Sequence, residues 1–369
     1  MSSRVALVVA GCLVCASMPM AAEAQTPAGV SAIGLTFDDE FDKFVSSPNG
    51  NAGWMTAYPY EGEAARALPA PLSANKEAQF YSDSSVGINP FSVHDGVLHI
   101  SAAPSTGYVP YGLHYTSGII TTLKSFSQTY GYFEIRVKLP AGKGLWPAFW
   151  LLPSNYKHDY YSELDIFEIL GDAPSTLYAT THHAGSDNKW IGNLQKLSIA
   201  DSSADFHTYG ADWEPDKITF YMDCKVIATA PTPPPMNKPM YILANLAVGD
   251  VGSWPGAPDK TTKWPAVMQI DYVRAFATAN TKDVQGSLAV RSANITGHFR
   301  RSDGHPRAWT EVSLRDASNH EIATTTTDAD GLFAFHKLPA GSYQIHTLSA
   351  QNNDRISLAT GQTEDVTIK

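Results

Sequence analysis

Short runs of alternating apolar and polar residues fill this chain, punctuated by Gly, Pro, Asn and Asp. Between Thr36 and Ala277 they include "GVLHISAA", "GYFEIRVKLP", "TLYATTHHA", "KITFYMD" and "YVRAFA". Residues two apart share a face of a strand, so this alternation predicts half-buried strands. No long stretch repeats its apolar residues at the 3.6 period of a helix. Many short strands with frequent turns predict an all-β sandwich or barrel. "PTPPP" (Pro231 to Pro235) is poor in backbone donors and is expected as a loop.

The pattern changes near "ATANTKDVQG", Ala277 to Gly286. Beyond it tryptophan is rare, with Trp309 alone, but alternating runs return: "NITGHFRR", "TEVSLRDA", "EIATTTT", "SYQIHTLSA" and "DVTIK". The turns "DADG" and "PAG" bracket "LFAFHKL". The organisation expected is a leader at 1–24, a large β domain at 25–277, a linker at 278–285 and a small β-sandwich at 286–369. The leader is read from Arg4, the apolar run "VALVVAGCLVCASM" and the small residues "AEA" before Gln25. That run is too short to span a membrane comfortably. A secreted or periplasmic chain is expected, with a lipoprotein signal at Cys12 as the rival reading.

Composition narrows the partner. The chain has 36 Asp and Glu against 26 Lys and Arg, a net charge of −10, and no run of basic residues. Nucleic acid is excluded as an expectation, since phosphate binding needs clustered positive charge. With 17 Tyr and 8 Trp, the chain suits a neutral, hydroxyl-rich ligand. Of the three cysteines only Cys224 lies beyond the leader, so neither an internal disulfide nor a cysteine metal cluster is expected.

One stretch carries chemistry. "SELDIFEIL" has the apolar residues of a buried strand but holds three carboxylates, Glu163, Asp165 and Glu168. Glu163 and Asp165 share a face; Glu168, at an odd spacing from Glu163, points the other way in a regular strand. Glycoside hydrolysis needs two carboxyl groups on one side of a cleft, one ionised and one protonated. A third acid between them would repel both and keep one protonated. That reading demands an extra residue, a β-bulge at Ile166-Phe167, to turn Glu168 to the same face. The other reading is a wet edge strand with Glu168 in a salt bridge elsewhere.

"GLWPAFWLLP" followed by "ELDIFE" resembles family 16 glycoside hydrolases of the laminarinase-like branch, whose acid motif contains the bulge. "FDDEFD", "SFSQTYGYFEIRVKLPAGKG", "FHTYGADWEPDKITFYMD" and "SWPGAPD" extend the resemblance in the family's order. It implies a concanavalin-like jelly-roll β-sandwich with a glycan cleft on its concave face. It further implies Glu163 as nucleophile, Glu168 as general acid/base and Asp165 as supporting carboxylate. The expected function is a secreted, retaining endo-β-glucanase acting as a monomer on a polysaccharide, with no cofactor for the chemistry. A bacterial exopolysaccharide as substrate, transglycosylation, and glycan binding without catalysis are the alternatives. The tail resembles carboxypeptidase-regulatory-like modules, which are small immunoglobulin-like or prealbumin-like sandwiches.

Several residues are expected around the acids. Trp146 and Trp150 share a strand face and can stack on sugar, or fill the core. Trp254, in the loop "GSWPG", is a rim candidate or a loop anchor; Trp190 could touch sugar, and Trp213 is expected in the core. His182 of "THHAG" is expected to face the cleft, with no metal role because no second pair of ligands lies at ligand spacing. Asn245, Asn75, Glu77 and Gln79 match family positions near the cleft, where polar groups can bind sugar hydroxyls; a structural role is the other reading. Many family members hold a structural calcium away from it, at positions that correspond to Glu40, Gly96 and Asp271; an ordinary cap or turn is the other reading. Two departures stand out: Ile119 replaces an arginine thought to reach donor sugars, and Cys224 replaces the glycine of a "DGK" turn.

Overall fold

The computed structural model describes residues 26–46, 53–58, 75–107, 109, 112–155, 162–185, 189–286, 293–301, 303–308, 310–327, 331–338, 341–347, 356–358 and 363–368. The expected leader, Trp309 and most of "DADG" lie outside them. Among the described residues no helix is long and apolar enough to cross a membrane.

The alternating runs are strands, as expected, and they stack as two sheets. One sheet runs from Lys225–Pro231 through Lys217–Met222, His207–Trp213, Gly131–Lys138, Ala266–Ala277, Val97–Pro104 and Tyr115–Ser117 to Gln79–Tyr81. The other runs from Trp190–Ser198 through Thr176–Ala184, Ser162–Ile169, Leu145–Pro153 and Met240–Val248 to Ser127–Thr129. Alternate residues meet between them. Phe133, Ile135 and Val137 of the first sheet share one core with Phe149, Leu151 and Ile242 of the second. Trp213 is fully buried there, as its sequence context predicted.

Met240–Val248 is buried along its whole length. Its even-numbered residues enter the main core, while Tyr241 and Leu243 form a second cluster with Tyr58, Tyr81 and Ile119. Ile119 is therefore a packing residue at the position where an arginine was the family expectation. The second sheet is thus covered at its centre and open towards the strand Trp190–Ser198, which forms its edge.

The segment expected as a linker is built into the sandwich instead. Lys282–Gln285 pairs with Ser127–Thr129 and extends the second sheet. Lys282 Nζ lies 5.5 Å from the centre of the Tyr130 ring, and Thr129 Oγ1 donates to Asp283 Oδ2 at 3.3 Å. A short polar run carries too little pattern to be read as a strand, yet an open sheet edge offers it backbone partners.

The tail is a separate β-sandwich with a core of its own. Leu332–Leu338, Ala293–Phe299 and Thr363–Ile368 make one sheet; Glu321–Thr326, Glu311–Arg315, Gly341–Thr347 and Ile356–Leu358 make the other. Ile295, Phe299, Val312, Leu314 and Ile345 close the space between them.

Candidate active site

The acid strand Ser162–Ile169 shows how the sequence resolves its conflict. In a regular ladder Ile166 would face the core, Phe167 the open face and Glu168 the core. Exposing a phenylalanine forfeits about 2–3 kcal/mol of burial, and sinking a carboxylate into an apolar core costs more. The strand avoids both. On one side Asp165 pairs with Trp150 and Phe167 with Phe149, which leaves Ile166 as the extra residue. On the other side the register also shifts between Asp165 and Glu168. Ile166 and Phe167 both enter the core, at 1% and 0% exposure. Glu163, Asp165 and Glu168 then lie opposite His182, Thr180 and Tyr178, on one face. The bulge sits where the spacing placed it.

Crowding three carboxylates changes their acidity. Burial first, then the negative Glu163, pushes the Glu168 carboxyl up to about 8, while the Trp146 indole N–H opposes the rise. That N–H donates to Glu168 Oε1 at 3.1 Å. Burial and then Asp165 push Glu163 well above the usual carboxylate range, and Glu163 and Asp165 hydrogen-bond to one another. The bond raises Glu163 and lowers Asp165, so Glu163 is the member that holds the proton in it. Burial and then Glu168 raise Asp165. His182 Nε2 lies 3.3 Å from Asp165 Oδ2. The site can therefore hold a protonated Glu168 as proton donor, with the Glu163 carboxyl beside it on the same face.

Aromatic rings wall the acids. Trp254 meets Trp146 edge-on at 5.4 Å between ring centres and Tyr178 at 4.7 Å. Trp190 stacks on His182 at 5.8 Å with an interplanar angle of 12°. Gly192 permits that stack, because a Cβ there would meet His182 Nδ1 at 3.0 Å. Trp190 and Leu194 are 49% and 52% exposed on the cleft face of the edge strand.

Trp150 is held by a chain of buried polar groups. Its indole N–H donates to Asn245 Oδ1 at 2.8 Å, Asn245 Nδ2 donates to the Tyr81 hydroxyl at 2.9 Å, and Gln79 Nε2 donates to Glu77 Oε2 at 2.5 Å. Gln79 Oε1 also accepts from the Val248 N–H at 2.7 Å. Asn75 Nδ2 reaches Glu77 Oε1 at 3.4 Å. Glu77, Gln79 and Asn245 are buried, and Asn245 lies across Ala148 from Glu168, so this network flanks the acids on their own face of the sheet. Asn75 is exposed at the rim of that network. Tyr178, Thr180, Leu194 and Lys196 were missed by sequence reasoning. Their even spacing from His182 along the paired strands was the signal available.

The residues proposed for calcium do not fit a hard cation. Glu40 Oε1 accepts from Arg274 Nε at 2.8 Å and lies 2.5 Å from its Nη2. Asp271 is paired with Arg136. Gly96 makes a left-handed turn beside the Glu40 carbonyl. Both carboxylates are thus neutralised by guanidinium groups, whereas calcium needs six to eight free oxygen ligands. A different set of ligand atoms does converge: those of Glu163, Asp165 and His182 all lie within 4.8 Å of one another. Linear spacing hid this set, because it spans two strands joined by register.

Comparison with known proteins agrees with this fold and motif. The profile of "Glycosyl hydrolases family 16" matches residues 77–274, and that of "Carboxypeptidase regulatory-like domain" matches residues 294–369. An endo-1,3-1,4-beta-glycanase (ExsH) of Rhizobium meliloti (strain 1021) is 41% identical over 255 residues, covering 67% of this chain and 52% of that protein. The chain therefore spans about half the length of that relative. A beta-glucanase of Rhodothermus marinus is 32% identical over 265 residues, covering 64% of this chain and 88% of that protein. The laminarinase catalytic domain of Thermotoga maritima MSB8 superposes with a TM-score of 0.56 at 33% identity, over 67% of this chain and 98% of that structure. On these matches, and on the bulged strand that carries three acids, the chain belongs to family 16 of the glycosyl hydrolases.

Proposed function

We propose that the chain is a secreted, retaining endo-β-glucanase that cuts β-1,3 or β-1,4 bonds in a β-1,3- or mixed-linked β-glucan. The observation that carries this is the bulge, which gathers Glu163, Asp165 and Glu168 on one open face beside exposed tryptophans. The named activities of the beta-glucanase and glycanase relatives support the substrate class.

In the first step a Glu163 carboxylate oxygen bonds to the anomeric carbon. The bond to the leaving oxygen breaks, and that oxygen takes the Glu168 proton. Attack requires an ionised Glu163, so the proton of the Glu163–Asp165 hydrogen bond must first pass to Asp165 or to solvent. In the second step Glu168, now ionised, removes a proton from water, which displaces Glu163 and releases the sugar with its configuration retained. Trp146 and Trp254 offer apolar faces for sugar rings. The chemistry needs no cofactor, and the leader-like N-terminus supports export.

The test is digestion of laminarin, lichenan, curdlan and a bacterial exopolysaccharide, with product sizing and NMR of the first anomer released. The expected result is a ladder of internal fragments of retained configuration from at least one β-glucan. Glu163→Gln and Glu168→Gln should each lower kcat by about 10²–10⁴-fold. Full activity in either variant would sink the mechanism. Chain-lengthened products in place of reducing ends would assign a transglycosylase.

A further inference from the structure

Asp165 is 2% exposed, yet its Oδ2 has no hydrogen-bond partner. The atom is not isolated: His182 Nε2 faces it at 3.3 Å, close enough for contact but without hydrogen-bond geometry. A buried carboxylate oxygen without a hydrogen bond and an imidazole nitrogen facing it have the spacing of two ligands on one ion. Zinc holds its ligands at about 2.0–2.1 Å in a tetrahedron, which sets them about 3.3–3.4 Å apart. The observed separation matches that edge.

We infer that the cleft is also a site for a divalent transition-metal ion of the zinc class, chelated by Glu163, Asp165 and His182, and that the bound ion silences hydrolysis. The inhibitory part rests on the reading of Glu163 as nucleophile; the binding part does not. The ligand atoms of all three residues lie within 4.8 Å of one another. One imidazole nitrogen with two carboxylates suits zinc, whereas calcium and magnesium favour oxygen alone. Three protein ligands leave a fourth position for water.

The imidazole is held ready. Trp190 covers one side of the His182 ring, and the missing Cβ of Gly192 gives the ring room to lie across the strand. The two acids are fixed by the bulged strand and by their mutual hydrogen bond. An ion here would draw the Glu163 carboxylate in towards the Asp165–His182 pair, which already has the spacing. It would occupy a lone pair of the attacking carboxylate and stand where the anomeric carbon must approach.

The test uses the full chain, stripped with a chelator, and zinc chloride as the probe. Calorimetry should show a cleft site in the wild type, and zinc should raise its unfolding midpoint. His182→Ala and Asp165→Asn should each weaken that site by at least about tenfold, equivalent to about 1.4 kcal/mol. His183→Ala, whose residue is the next along and points to the other face, should leave it unchanged. Circular dichroism of each variant separates lost binding from lost folding. Zinc should inhibit glucan hydrolysis competitively, with recovery on adding EDTA. Zinc affinity unchanged by His182→Ala, or absent from the wild type, would overturn the proposal. Calorimetry needs no turnover, so a chain inactive on every glycan would fail the glucanase reading and still report on the metal site.

Discussion

The Glu168 carboxyl is a weakened acid pulled in two directions, and the balance makes two predictions. Burial and Glu163 push its proton on, while the Trp146 N–H pulls it off. Trp146→Phe keeps an aromatic wall and removes the donor, so Glu168 should hold its proton to higher pH. The alkaline limb of kcat/KM, expected near pH 8 in the wild type, should move upward in this variant; a pH–rate profile decides it. Linkage gives the second. The carboxyl rises from an ordinary 4.5 to about 8 in the folded chain. Below the unfolded value both states are protonated. As pH rises towards the folded value, only the unfolded state releases the proton, so the native state loses stability. Glu168→Gln removes that titration and can still accept from Trp146. Its advantage in thermal stability should grow between pH 4.5 and 8, to about 1–3 kcal/mol. The three acids were legible in the sequence because carboxylates in an apolar strand are conspicuous. Tyr178 and Thr180 were not, because nothing in their own strand distinguishes them until register sets them opposite Glu168 and Asp165.

At the scale of the element, the bulge is one added residue, which makes its role separable from that of the acids. Deleting Ile166 removes one core side chain and restores a regular ladder with Phe167 inward and Glu168 outward. Such a chain should fold with a loss of about 2–5 kcal/mol and keep part of its activity. Inserting one residue between Phe167 and Glu168 turns the acid inward and should abolish activity. Denaturant titration and lichenan hydrolysis of the two variants read these outcomes. The turn at Asp223-Cys224 gives another case. Both residues have positive φ, 48° and 61°, between the paired Met222 and Lys225. The departure from glycine therefore leaves the hairpin turn in place and strains it. Cys224→Gly should raise stability by about 1 kcal/mol, read from the unfolding midpoint. Strands were legible from alternation, and the bulge from the parity of "ELDIFE". The mutual hydrogen bonding of Glu77, Gln79 and Asn245 was not, because sequence does not show which polar residues meet one another.

At the scale of the molecule, two sandwiches with separate cores follow from two stretches of alternating pattern, and both were legible. The joint between them was not. "TKDVQ" has neither apolar alternation nor turn chemistry, and its pairing is a backbone matter. That joint has a practical consequence. Lys282–Gln285 covers the outer edge of Ser127–Thr129. A protein cut after Ala277 would bare that edge as a template for another chain, whereas one cut after Gly286 would keep it sealed. The shorter fragment should form dimers or larger species on size-exclusion chromatography, and the longer one should not. The few residues that join the two sandwiches thus also serve as the catalytic sandwich's guard against self-association, and any attempt to isolate that sandwich must carry them along.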